Sequence, residues 1–349
     1  MNLEKLRTSL AEDEGALVFS AENRFYFTGF ESSDGYLLVK KDDAVFLTDS
    51  RYTEDAGYVI KECRVEDGGD YFGRIRDFFS GKRVLIEASS LSVGSLRELE
   101  EKTGLGFDSS DRLDGICREI RRSKTGGEVN AMLAAQRIAE KALDHVLGFI
   151  RPGLTEKQVA LELDTYMLSH GAEALSFQTI CVSGKNSSKP HGVPSDAPLE
   201  MNAFLTMDFG AVYGGRHSDM TRTVVLGKAD DEMKTVYGVV RDAQAAGIEF
   251  LAPGKSCRDA DAAARTVIEK AGYGKYFGHG TGHGVGAEIH EEPRLSPKSE
   301  AVLRAGDVVT VEPGIYLPGR FGVRIEDMLV ITESGSIDLT TADRRLIEL

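Results

Sequence analysis

Short blocks of apolar residues at 16–19, 36–39, 44–47 and 84–86 alternate with polar stretches, some of them helical in pattern, and predict a small α/β domain. Around Arg121, Arg122, Ser123 and Lys124 the chain turns basic and poor in apolar residues, and Thr125, Gly126 and Gly127 follow. Nothing in that segment offers a core anchor, so the boundary is placed there, giving domains 1–123 and 124–349. Next, Val129, Met132, Leu133, Ala139, Leu143, Val146, Leu147 and Ile150 recur at helical spacing until Pro152 and Gly153 interrupt them. Thr155 and Gln158 form a capping-box pattern that opens a second helix, which Gly171 closes. Beyond residue 203 the chain is strand-rich, with helical stretches at 232–250 and 257–271 and a glycine-dense loop at 278–286.

A length of 349 residues fits two domains of ordinary size. The formal charge of -14 argues against a surface built to neutralise phosphates, so no nucleic-acid partner is expected. Cys63, Cys117, Cys181 and Cys257 are widely spaced and read as reduced thiols rather than a disulfide framework. The first residues are rich in charge and hold no apolar run of leader or membrane-span length. A cytoplasmic protein with no membrane association is the expectation.

Two predicted hairpins each present a pair of acids. If the turn between residues 203–210 and 218–226 centres between Tyr213 and Gly214, Asp208 faces Asp219. If the turn at Pro318 and Gly319 centres on Gly319, Glu312 faces Glu326. One such pair could be two solvated strand-end acids. Two pairs beside apolar runs call for positive charge between them, because opposed like charges destabilise a hairpin and buried unpaired carboxylates are costly. The loop from His279 to Gly286 can add a nitrogen ligand, and it lacks the lysine of a phosphate-cradling loop. Of the seven histidines, His145 and His170 fall in predicted helices away from these segments, while His191, His217, His279, His283 and His290 gather near them. Arg324 lies two residues before Glu326, so strand alternation places both on one face, where a guanidinium can orient ligand carboxylates.

These segments together resemble the pita-bread metallopeptidases, in the branch of Xaa-Pro dipeptidase (prolidase) and aminopeptidase P. The likeness rests on Asp208-Phe-Gly, Ser218-Asp219-Met-Thr-Arg-Thr223, Gly282-His283-Gly, His290-Glu291, Val311-Glu312-Pro-Gly-Ile-Tyr316 and Arg324-Ile-Glu326-Asp327. In the N-terminal domain it rests on Asn23, Tyr26, Thr28, Gly29, Phe30 and the run from Leu47 to Tyr52. The resemblance implies an α/β (α+β) protein with a small mixed-sheet N-terminal domain and a pita-bread catalytic domain. It puts five metal ligands at Asp208, Asp219, His283, Glu312 and Glu326, with Asp219 and Glu326 bridging two divalent ions. The oxygen-rich set suits manganese or cobalt(II), with zinc and iron(II) left open.

The implied activity is hydrolysis of the Xaa-Pro bond at the N-terminus of a short proline-containing peptide, by a hydroxide bridging the two ions. Glu312 is the expected proton acceptor, and His191 and His290 the groups that polarise the scissile carbonyl. His279 is placed at the substrate. Arg294 is the candidate cation for a dipeptide's free carboxylate, which tilts the reading toward dipeptidase over aminopeptidase on longer peptides. A binding protein without catalysis is the reading from another class, and the intact ligand set weighs against it. The resemblance also implies a homodimer.

Overall fold

The apolar blocks of the N-terminal third become neighbouring strands of one sheet in the structure, a computed structural model that describes residues 2–349. Its strands lie in the order Arg64–Asp67, Ala44–Thr48, Tyr36–Lys40, Glu14–Val18, Arg83–Ile86 and Phe107–Asp108. Pairing is antiparallel among the three strands from Ala44–Thr48 to Glu14–Val18, and parallel toward both edges. The sheet is therefore mixed. Both edge strands are short and partly exposed, so no apolar alternation marks them in the sequence. Phe79, Ile75 and Leu99 from the helical layer pack on Leu17, Leu38, Val84 and Ile86. Gly15 allows this, because a Cβ there would stand 2.5 Å from Cδ1 of Phe79.

Residues 1–121 and 122–349 form two separate compact units. The basic segment at their junction is anchored on each side, contrary to the expectation that nothing in it anchors a core. Arg121 is buried and donates to Asn23 Oδ1 at 3.0 Å within the first unit. Arg122 pairs with Asp307 at 2.8 Å and Lys124 with Glu291 at 2.9 Å within the second. Individual partners, invisible to composition, hold each charge. Thr125 is likewise the N-cap of helix Gly126–Phe149, in a capping box with Glu128, and the two glycines are its first turn.

Helix Glu156–Ser169 starts with the predicted capping box of Thr155 and Gln158, and Gly171 at φ 103° follows its end. Helices Asp231–Phe250 and Cys257–Lys270 complete the second unit's long helices. Between the two helix pairs lies a sheet of Ile180–Ser183, Ala203–Phe209 and Met220–Leu226. Alternation along Ala203–Phe209 sends Leu205, Met207 and Phe209 into the core with the first helix pair. Phe204 enters the core of the second pair with Val236, Val240, Ala264 and Ile268. Thr206 and Asp208 share the face of Phe204, and Thr221 and Thr223 share that of Val225. A line of buried polar groups thus runs along an otherwise apolar layer and ends at the site. Among the described residues no helix is long and apolar enough to cross a membrane.

Candidate metal centre

The first acidic hairpin does not have the expected register. Asp208 lies opposite Thr221, and Phe209 opposite Met220. Tyr213 pairs with Arg216, so the turn centres between Gly214 and Gly215, whose φ angles of 56° and 61° suit a tight two-residue hairpin turn. A turn displaced by one residue moves each partner by two. Because side chains repeat every two residues, Asp219 keeps the face it would have had opposite Asp208. Both carboxylates line one cavity of about 670 Å³.

The second hairpin has the expected register: Val311 pairs with Asp327 and Gly314 with Arg324, which brackets Glu312 and Glu326 as opposite residues. The ladder is interrupted at those two acids. Pro313 has no N–H to give. The Glu312 N–H donates instead to Thr281 O at 2.7 Å, and the Glu326 N–H to Thr221 O at 3.1 Å. One acid is thereby tied to the glycine loop and the other to the hairpin of Asp208. This crossing gathers residues that lie far apart in sequence.

His283 enters from strand Gly282–Gly284, which lies against Val308–Val311. A Cβ on Gly282 would stand 1.9 Å from Thr310 O, so glycine is needed for that approach. His283 Nε2 is 3.4 Å from Asp219 Oδ2 and 3.5 Å from Glu312 Oε1. One ligand atom each from Asp219, His283 and Glu326 all lie within 4.8 Å of one another. Thr221 Oγ1 donates to Glu326 Oε2 at 2.6 Å, and Arg324 Nη2 to Asp208 Oδ2 at 2.6 Å.

Burial pushes the Asp219 carboxyl up to about 6 and that of Glu312 up to about 7. Burial, then the neighbouring charges of Asp219, Glu312 and Asp208, raises Glu326 well above its ordinary range. For His283 burial works against the charged form, but the Asp219 hydrogen bond and the Glu312 charge outweigh it and raise the imidazole. The protein's own cations therefore do not balance the cluster. Asp208 Oδ1 is also buried with no hydrogen-bond partner. Hard oxygen donors, one imidazole and an unmet demand for positive charge fit divalent cations.

Around this cluster, His191, His279, His290, Arg294 and Arg324 also line the cavity. Burial, then the charges of His283 and Arg294, pushes His290 down to about 4, and its ring meets that of His283 edge-on at 4.5 Å. His279 Nδ1 lies 2.8 Å from Gly280 O and its Nε2 3.0 Å from the Tyr316 hydroxyl. Arg324 orients Asp208 rather than its strand neighbour Glu326. It also donates to Thr221 Oγ1 at 3.0 Å, the Tyr316 hydroxyl at 2.7 Å and Pro190 O at 3.2 Å. Tyr316 and Thr221 stand in the quoted motifs, but no part in holding Arg324 was expected of either. Phe177, Ile180, Val193 and Ile289, which make much of the cavity apolar, escaped the sequence reading. None of these belongs to a periodic pattern that marks a cavity wall.

Residues 2–122 match the creatinase/prolidase N-terminal domain, and residues 130–333 match metallopeptidase family M24. An uncharacterized peptidase of Bacillus subtilis is 43% identical over the full length of both chains. The solved Xaa-Pro dipeptidase from Bacillus anthracis superposes with a TM-score of 0.95 at 38% identity, covering 100% of this chain and 99% of that one. An X-Pro aminopeptidase from Thermotoga maritima superposes with a TM-score of 0.92 at 34% identity, covering 99% and 100%. With its mixed-sheet first unit, its pita-bread second unit and these matches, the chain belongs to metallopeptidase family M24.

Proposed function

We propose that the protein is a dinuclear-metal exopeptidase that cleaves the Xaa-Pro bond at the N-terminus of short peptides, with dipeptides as its preferred substrates. The observation that carries this reading is the convergence of Asp208, Asp219, His283, Glu312 and Glu326 on one wall of a cavity otherwise lined largely by apolar groups and histidines. Those five residues, Asp219 and Glu326 among them, would hold the ions. Manganese or cobalt(II) suits the donor set, and zinc or iron(II) would also find ligands. When bound, such ions supply Lewis acidity and make water acidic enough to act as a nucleophile near neutral pH.

The chain's own groups do the rest. Glu312 is partly open to the cavity and accepts the proton of the attacking water. His191 and His290 donate to the oxygen of the scissile carbonyl as negative charge develops on it. The bond before proline has no N–H, so the leaving side of the substrate is recognised by shape, and the ring of His279 belongs to that wall. Arg324 and Tyr316 keep the Asp208 carboxylate aimed at the ions.

Arg294 is exposed on the cavity lining, beside His290. A guanidinium there suits the free carboxylate of a dipeptide. The expected result for Arg294→Ala is a loss of about 10-fold or more in kcat/KM on Ala-Pro, with a smaller change on Ala-Pro-Ala. Equal losses on both substrates would favour the second reading, an aminopeptidase, which the likeness to the Thermotoga maritima enzyme supports. The same proposal includes a homodimer and a cytoplasmic location. The latter accords with four free cysteines, three of them buried.

A further inference from the structure

Lys124 and Glu291 have no part in the chemistry above, yet their side chains are only 2% and 5% exposed. Lys124 Nζ donates to Glu291 Oε2 at 2.9 Å, and Glu291 Oε1 accepts the Glu288 N–H at 3.1 Å. Gly286 lies against the pair: a Cβ there would stand 2.5 Å from Glu291 Oε2 and 2.8 Å from Lys124 Cε. The Gly286 N–H donates to Glu288 O, and Gly286 O accepts the His217 N–H, both at 3.0 Å. Lys124 is itself fixed, because its N–H donates to Gly306 O at 2.9 Å and the next residue caps a 24-residue helix.

Glu291 therefore clasps the loop 286–290 to the start of that helix. The last residue of the loop is His290, whose half-buried ring opens onto the cavity and meets that of His283 at a steep angle, so the loop backbone sets where it stands. A buried ammonium is costly unless it is paired and hydrogen-bonded, and an apolar pair of similar volume would be at least as stable. Stability alone does not explain this pair. We infer that Lys124 is a positioning residue: through buried Glu291 it fixes the loop that presents His290 to the substrate. The inference rests on the role given to His290 in the proposed function.

The test is a cycle of Lys124→Met and Glu291→Gln, each alone and combined with His290→Ala, on metal-loaded enzyme with Ala-Pro as substrate. Hydrogen exchange of residues 286–290 is followed in parallel on the same proteins. Each single variant is expected to lower kcat about 10-fold with KM little changed and full metal content, and to add no further loss once His290 is alanine. Exchange at 286–290 should quicken in both variants while strand Gly282–Gly284 stays protected. Equal losses with and without His290, or unaltered exchange at 286–290, overturn the inference. Glu291→Gln keeps the side-chain shape and an oxygen for Glu288, so it carries the comparison if Lys124→Met does not fold. If the unmodified enzyme turns over no Xaa-Pro substrate, the functional reading fails, and exchange alone still decides whether the clasp exists.

Discussion

Arg324 holds one oxygen of Asp208 at 2.6 Å and leaves the other buried without a partner. The guanidinium is fixed by Thr221, Tyr316 and Pro190 as well, so Asp208 has one orientation and one open oxygen. A lysine carries the charge but cannot span four acceptors in a planar fork. Arg324→Lys is expected to weaken metal binding by about 10- to 100-fold and to lower kcat by a similar factor. Metal titration followed by kinetics at saturating metal checks this. Unchanged metal affinity would mean that Asp208 needs no orienting partner.

The metal-free cluster makes a prediction about pH. Folded Asp219 and Glu312 titrate at about 6 and 7, above the values near 4 of an unfolded chain. Between those limits the folded state binds more protons than the unfolded one, so the contribution of these groups to stability falls as pH rises from about 4 to 7. Bound cations require deprotonated ligands and remove that penalty. Thermal unfolding of chelator-treated protein should therefore show a Tm gap below the metal-loaded form that widens from pH 5 to pH 7. A gap that narrows with rising pH would contradict the assignment.

Gly282 tests the packing that delivers His283. An alanine there must push the strand off Thr310 O, now 1.9 Å from where the Cβ would stand. Gly282→Ala is expected to cost about 1–3 kcal/mol of stability and to abolish tight metal binding. Denaturant unfolding and metal titration together check it. Retained tight binding would show that the glycine is not needed for the approach.

Much of this was legible in the sequence where local physics governs. The long helices follow from periodic apolar positions and from the capping residues Thr125 and Thr155, although Thr125 reads as part of a break when composition alone is weighed. The register of Glu312 and Glu326 follows from a turn fixed by Gly319 at φ 71°. The register of Asp208 does not, because either of two neighbouring turn centres suits Tyr213, Gly214 and Gly215, and only cross-strand packing decides. Strand Arg64–Asp67 has no apolar alternation to show. Thr221 and Lys124 find their partners across long stretches of chain, and no local pattern records such contacts.

The most direct measurement is hydrolysis of Ala-Pro, Ala-Pro-Ala and Ala-Ala by metal-stripped protein, with and without added manganese or cobalt. Restored cleavage of Ala-Pro, with Ala-Pro-Ala much slower and Ala-Ala untouched, is the predicted result. No cleavage of any of the three after metal is restored would contradict the claim that this cluster is the active site of an Xaa-Pro peptidase.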